Sequence, residues 1–234
     1  MNHNHFRKFA KDLEKLIAGF DVVGDEKHST GRQKQQMNTL IKLEKDFRIA
    51  LQQHQRGPKV YRDFVTFIVE EKRNILTARP FFRERQKPTF KKHIAPALKN
   101  RKPEKLYRFR INYVFISMVM SRYDWPKGSK VYKIAEEIKK IREEIIVANT
   151  PLVISRAKMF WSKTPRSHLE YMDLNQIGAE GLISAIDKFV PPYTTVFRAV
   201  AIGRMLGNFI EEYSAPLLHF YPSDKKKIYN ANKA

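Results

Sequence analysis

The sequence predicts an all-α protein. Apolar residues recur at spacings of three and four along most of the chain, and no run alternates cleanly enough to make a strand. Glycine is scarce, nine in 234 residues, and no internal repeat or low-complexity segment interrupts the pattern. A hydrophobic content of 42% supports a packed core in one or two domains.

The elements follow from the apolar stripes. Residues 5–20 place Phe6, Phe9, Leu13, Leu16 and Ile17 on one face and predict a helix ending near Gly19. The polar residues 21–35, with Gly24 and Gly31, predict a loop. A second helix over 36–55 runs through Met37, Leu40, Ile41, Leu43, Phe47 and Leu51 until "QRGP" at 55–58 breaks it. Residues 1–58 thus read as an N-terminal helical hairpin. A third helix, 60–78, uses Val60, Phe64, Phe67, Ile68 and Ile75, and Pro80 ends or kinks it. Short helices at 81–86 and 88–99 and a longer one at 104–122 complete a basic helical segment, 59–125. The pair flanking "NRKPE" suggests a helix-turn-helix-like module.

"DWPKGSK" at 124–130 is a turn. The helix after it has a seam of Val131, Ile134, Ile138, Ile141 and Ile145. Asn149 and Thr150 before Pro151 suit the N-cap and first position of a new helix. The segment "YMDLNQIGAEGLISAIDKF", 171–189, is one amphipathic helix that Asp173 can cap. Its core face is Leu174, Ile177, Leu182, Ala185, Ile186 and Phe189. Its outward face is Asp173, Gln176, Glu180 and Asp187. Gly178 and Gly181 cost on the order of 1 kcal/mol each in a helix interior, and they make sense where a neighbouring helix comes close. "VPPYT" separates this helix from a last one, about 195–213. Residues 126–214 form a domain, and 215–234 a basic tail.

The formal net charge is +21, which points to a polyanionic partner, most often nucleic acid. A membrane partner is not expected: there is no lipidation motif and no apolar run of 18 residues, and the first residues lack the apolar core of a signal peptide. Cysteine is absent, so disulfides and thiolate metal sites are excluded and a reducing cytoplasm is expected. No HExxH, GxxxxGK[ST] or GxSxG occurs. Asp173, Glu180 and Asp187 share a helix face, but a separation of seven residues is about 10 Å along the axis, too far to share one metal. Neither catalytic residues, metal nor cofactor are expected.

Residues 72–110 carry 14 Lys or Arg against two Glu, interleaved with aromatic residues. Arg79, Phe81, Phe82, Arg83 and Arg85 suit phosphate contacts with base stacking, and Arg108 and Arg110 extend the basic set. The alternative is that the phenylalanines are core and the arginines a solvated face.

Three stretches in order, "IIVANTPLVISRAKMF", "YMDLNQIGAEGLISAIDKF" and "FRAVAIGRMLGNFIEEY", resemble the second region of bacterial RNA polymerase sigma factors. The match covers about 131–214, and its most specific part is "DLxQxGxxGLxxAxDKF". The resemblance implies a sigma region-2-like helical bundle after a basic helical N-terminal part. It implies docking of the 171–189 helix on the clamp helices of the largest subunit of core RNA polymerase, through Asp173, Gln176 and Ile183. Ile177 stands where the pattern has Glu, and Glu180 lies one step from the pattern's exposed Asn.

The resemblance further implies that the last helix opens promoter DNA at the −10 element by stacking flipped bases. The pattern's tryptophan pair falls on Ala201 and Ile202, leaving Tyr193 and Phe197 for stacking and Arg198, Arg204 and Asn208 for phosphate or base contacts. No C-terminal helix-turn-helix domain is expected. Upstream promoter elements then fall to residues 72–122 or to a separate coactivator. A short, divergent factor of this kind is what a phage or mobile element is expected to encode. The alternative is a basic helical DNA- or RNA-binding protein without a polymerase role. A nuclease is a third reading.

Overall fold

A computed structural model describes residues 26–83, 90–164, 169–190 and 197–214. Their regular structure is helical, with one isolated antiparallel bridge between Phe82 and Ile111, so the chain is all-α. The helix expected at 5–20 and the basic tail lie outside these residues. The chain divides into two compact units. Among the described residues, the larger comprises 26–150 and 183–201, and the smaller 151–182 and 202–214. The residues 126–214 expected as one domain are therefore shared between units.

In the larger unit, α1 (Glu26–Gln53) begins ten residues before the expected start at 36. Residues 26–35, expected as a loop, continue the helix, because Lys, Arg and Gln are good helix formers even without an apolar stripe. Met37, Leu40, Phe47 and Leu51 are buried and anchor it. The break at "QRGP" is steric: a Cβ at Gly57 would lie 2.0 Å from the Leu51 carbonyl oxygen. Pro58 occupies the first turn of α2 (Gly57–Thr66), where its missing N–H costs nothing.

A π-helical turn, Phe67–Glu71, extends α2. Arg73, at φ 50°, then ends it in the left-handed region, well before Pro80. Pro80 instead lies inside a 3-10 helix, Ile75–Phe81, whose Asn74 cap accepts from the Leu76 N–H at 3.0 Å. Of the helix expected at 81–86, residues 84–86 lie outside the described residues, and Phe82 at its start is extended. The Arg83 N–H donates to the Arg110 carbonyl at 2.9 Å, and the Asn112 N–H to the Phe81 carbonyl at 3.3 Å. A π turn, Phe90–Ile94, and α3 (Ala95–Lys99) match the helix expected at 88–99.

The helix expected at 104–122 is split into a 3-10 helix, Pro103–Arg108, and α4 (Tyr113–Arg122). Backbone pairing at 110–112 wins over helix propensity, and Asn112 restarts the helix by accepting from the Val114 and Phe115 N–H groups. Aromatic rings fill the interior. Phe64 meets Phe81, Phe82 and Phe115 at centroid distances of 5.2, 6.0 and 5.2 Å, and Tyr61 meets Tyr107 edge-on at 4.5 Å. Phe82, 2% exposed, is thus a core ring and not an available stacking surface, while Phe81 is half-buried with one edge against Phe64.

The next helix, α5 (Lys130–Lys163), continues through Pro151, where a new helix was expected. Asn149 and Thr150 do not act as N-caps. Their side chains donate back to the Ile145 and Ile146 carbonyls at 2.7 and 3.1 Å, as residues inside a helix do. Buried Asn149 also accepts from Gln33 of α1 at 3.0 Å.

The C-terminal end of α6 (Tyr171–Lys188) is held by buried polar groups. Arg83 is paired through two nitrogens with the Glu44 carboxylate, which is itself 2% exposed. It also donates to the Ile186 carbonyl and, at 2.8 Å, to that of Phe189. Asn112 donates to the carbonyls of Pro80 at 2.6 Å and Asp187 at 3.3 Å. The Asp187 carboxylate takes two bonds from Arg142, at 3.1 and 3.2 Å. Orphan carbonyls at a helix end attract cationic donors, and here the donors are buried with them. Burial pushes the Glu44 carboxyl up, and Arg83 opposes that shift.

Removing one partner of the buried pair is expected to destabilise the chain by about 3–5 kcal/mol, as for other buried pairs left uncompensated. Chemical denaturation of Glu44→Leu, Arg83→Met and the double variant measures it. The double variant should lose less than the sum of the singles, and additive losses would show that the two side chains do not act as a pair.

Candidate functional surfaces

Helix α6 combines a tightly packed face and an open one. In the smaller unit it packs against α7 (Phe197–Ser214) through its glycines. A Cβ at Gly178 would lie 2.9 Å from Val153 and 3.1 Å from Phe209. One at Gly181 would lie 2.7 Å from the Met205 Cα and 2.9 Å from its nitrogen, which is main chain and has little room to yield. The glycines therefore set the helix separation, as the sequence suggests. Leu174, Leu182, Phe160, Met205 and Phe209 are buried around them, with Phe160 and Phe209 rings 5.1 Å apart.

Asp173, Gln176 and Glu180 are exposed, and Ile177 is half-buried. Asp173 is not the N-cap. It is the third residue of the helix, and its carboxylate accepts from the Glu170 N–H at 2.9 Å, the returning half of a capping box. Asp187 does not belong to the outward face: it is 5% exposed and paired with Arg142. Ile183, in the larger unit, is half-buried. Among the described residues no three acidic or histidine side chains converge on a point that could hold a metal. Among them, too, no helix is long and apolar enough to cross a membrane.

The residues implied for DNA contact fare unevenly. Tyr193 and Arg85 lie outside the described residues. Phe197 is 3% exposed, its ring edge-on to Phe189 at 5.5 Å, so it is a core contact and not an available stacking surface. Arg198 is half-buried, and its Nε has no hydrogen-bond partner. Arg204 is exposed. The Asn208 amide faces the Ile177 carbonyl at 3.5 Å, a contact that ties α7 to α6. Arg83, expected on DNA, is buried in the pairing with Glu44 and cannot reach it.

Arg79, Arg108 and Arg110 are exposed, and the Arg108 guanidinium lies 5.0 Å from the centroid of the Phe109 ring. Arg108 and Arg110 border a groove with Lys42, Lys45 and Arg48 of α1. Sequence reading missed these three because they are far from Arg108 along the chain and look like the solvated face of an ordinary helix. Their only signal was regular spacing, every third residue, which puts all three on one side of α1.

Gly181→Ala is expected to cost about 1–3 kcal/mol by overpacking. By contrast, a Cβ at Gly203 or Gly207 meets nothing within 4 Å, so alanine there should stabilise α7 by about 0.5–1 kcal/mol. Thermal melts of the three variants test the contrast, and a neutral Gly181→Ala would refute the close approach. No protein-family model matches the chain, and no solved structure matches it significantly.

Proposed function

We propose that this chain is a divergent sigma factor. It binds core RNA polymerase through the open face of α6, recognises promoter DNA and promotes strand opening at the −10 element. The observation that carries the reading is the division of α6. The glycines of the sigma-like segment face α7 and its leucines are buried, while Asp173, Gln176 and Glu180 stay exposed to a partner. An exposed polar face with two carboxylates, in a chain of net charge +21, suits a docking surface more than a nucleic-acid contact. The ordered resemblance over 131–214 supports the same assignment, and the clamp helices of the largest subunit are the proposed partner.

Burial of Phe197 leaves Tyr193 as the aromatic residue proposed to capture a flipped base, with Arg204 as a phosphate contact. Such a factor works in the cytoplasm, needs no cofactor and performs no covalent chemistry of its own. A separate coactivator is proposed to supply upstream recognition. The exposure of Arg79, Arg108 and Arg110 favours the second reading, a basic helical nucleic-acid-binding protein without a polymerase role.

The two readings separate in a pull-down against core RNA polymerase. Wild type should be retained, Asp173→Ala and Gln176→Ala each several-fold less, and the double variant more than tenfold less. Strong DNA binding with no retention on polymerase would falsify the sigma reading. With holoenzyme, permanganate footprinting of a promoter should show no strand opening for Tyr193→Ala. Unchanged opening removes Tyr193 from that role.

A further inference from the structure

We infer that the groove between α1 and residues 108–111 is a sequence-independent binding site for the phosphate backbone of a nucleic acid. The groove, about 420 Å³, is walled by Lys42, Lys45 and Arg48 on one side and by Arg108 and Arg110 on the other. All but half-buried Arg48 are exposed, and none of the five forms an ion pair among the described residues. Among the described residues the one carboxylate in the lining, Glu44, is engaged by Arg83, so its charge is offset and does not cancel that of the walls. Arg48 is pre-positioned: its Nη1 donates to the Phe109 carbonyl at 3.1 Å.

The positive track does not stop at the groove. Asn38 and Lys42 also line an open depression that continues along α1 to Lys34. Lys34 and Lys45 are eleven residues apart, about 16 Å along the axis. At about 3.4 Å of axial rise per base pair, a duplex lying along α1 advances about five base pairs over that length. A rod with evenly spaced charges fits such a track better than an acidic peptide, whose carboxylates are spaced by its sequence. Among the described residues the groove presents no exposed aromatic ring, since Phe109 is 9% exposed, so they offer no platform for base stacking and contact the backbone. The site does not depend on docking to polymerase, and none of its residues lies on the α6 face.

Fluorescence anisotropy of the full chain with a 30-base-pair DNA duplex of arbitrary sequence, titrated across salt, provides the test. Lys42→Gln/Lys45→Gln/Arg110→Gln should weaken binding more than tenfold. It should also lower the slope of log affinity against log salt by about 0.9 for each phosphate no longer neutralised. A control, Lys91→Gln/Lys92→Gln/Lys99→Gln, removes the same charge from exposed positions elsewhere and should retain most of the affinity and slope. Equal losses in the two variants, both with wild-type circular dichroism and melting, would mean that net charge and not the groove binds DNA. Wild-type affinity in the groove variant would overturn the site outright. Competition by polyglutamate as effective as that by unlabelled duplex would overturn the assignment to nucleic acid.

Discussion

Arg83 is the side chain on which the larger unit depends. Its guanidinium is planar and always charged, with five donors in a fixed fork, and it directs them to two targets of different kind. One is the Glu44 carboxylate on α1, and the other is the pair of carbonyls at the end of α6. A helix end leaves carbonyls without partners, and a buried carboxylate needs a counter-charge. One buried arginine meets both needs, and each would be costly alone. The residues around it repeat the logic: Asn112 and Arg142 bring further donors to Asp187.

That arrangement constrains segments far apart in sequence. Arg83 reaches its targets because its backbone is paired with Arg110, and this pairing interrupts what would otherwise be a helix. The same pairing carries Arg110 to the rim of the groove while Arg83 closes the floor. Two arginines of one basic stretch thus have opposite fates. One is buried as a structural ion, and the other stays in solvent where it can meet an anion. Pairing Glu44 inward also keeps its negative charge from offsetting the lysines beside it on α1.

The smaller unit is governed by shape. Gly178 and Gly181 remove side chains where Val153, Phe209 and the Met205 backbone come closest. With α6 pressed against α7 on that side, Asp173, Gln176 and Glu180 stay on the open one. The helix penalty of the glycines is offset by close packing, which is why residues poor in helix propensity can sit mid-helix without breaking it.

Periodicity alone determined the all-α class, the course of α1 from Met37 onward, the turn at 124–130, and the glycine-faced helix at 171–189. These are local properties, carried by spacing and by the steric demands of single residues such as Gly57. Tertiary contacts decided the rest. Helix 104–122 breaks because its middle pairs with residues near 82, and Pro151 fails to start a helix because Asn149 is engaged behind it and with Gln33. The sequence places Arg83, Asp187 and Phe197 at the surface, but each is buried by partners elsewhere in the chain, as far off as Phe189 is from Arg83. The basic groove joins α1 to residues 108–111. Hydrophobic spacing records which face of a segment seeks the core, but not which charged side chain finds a buried partner, since that depends on chain segments meeting only in the folded protein.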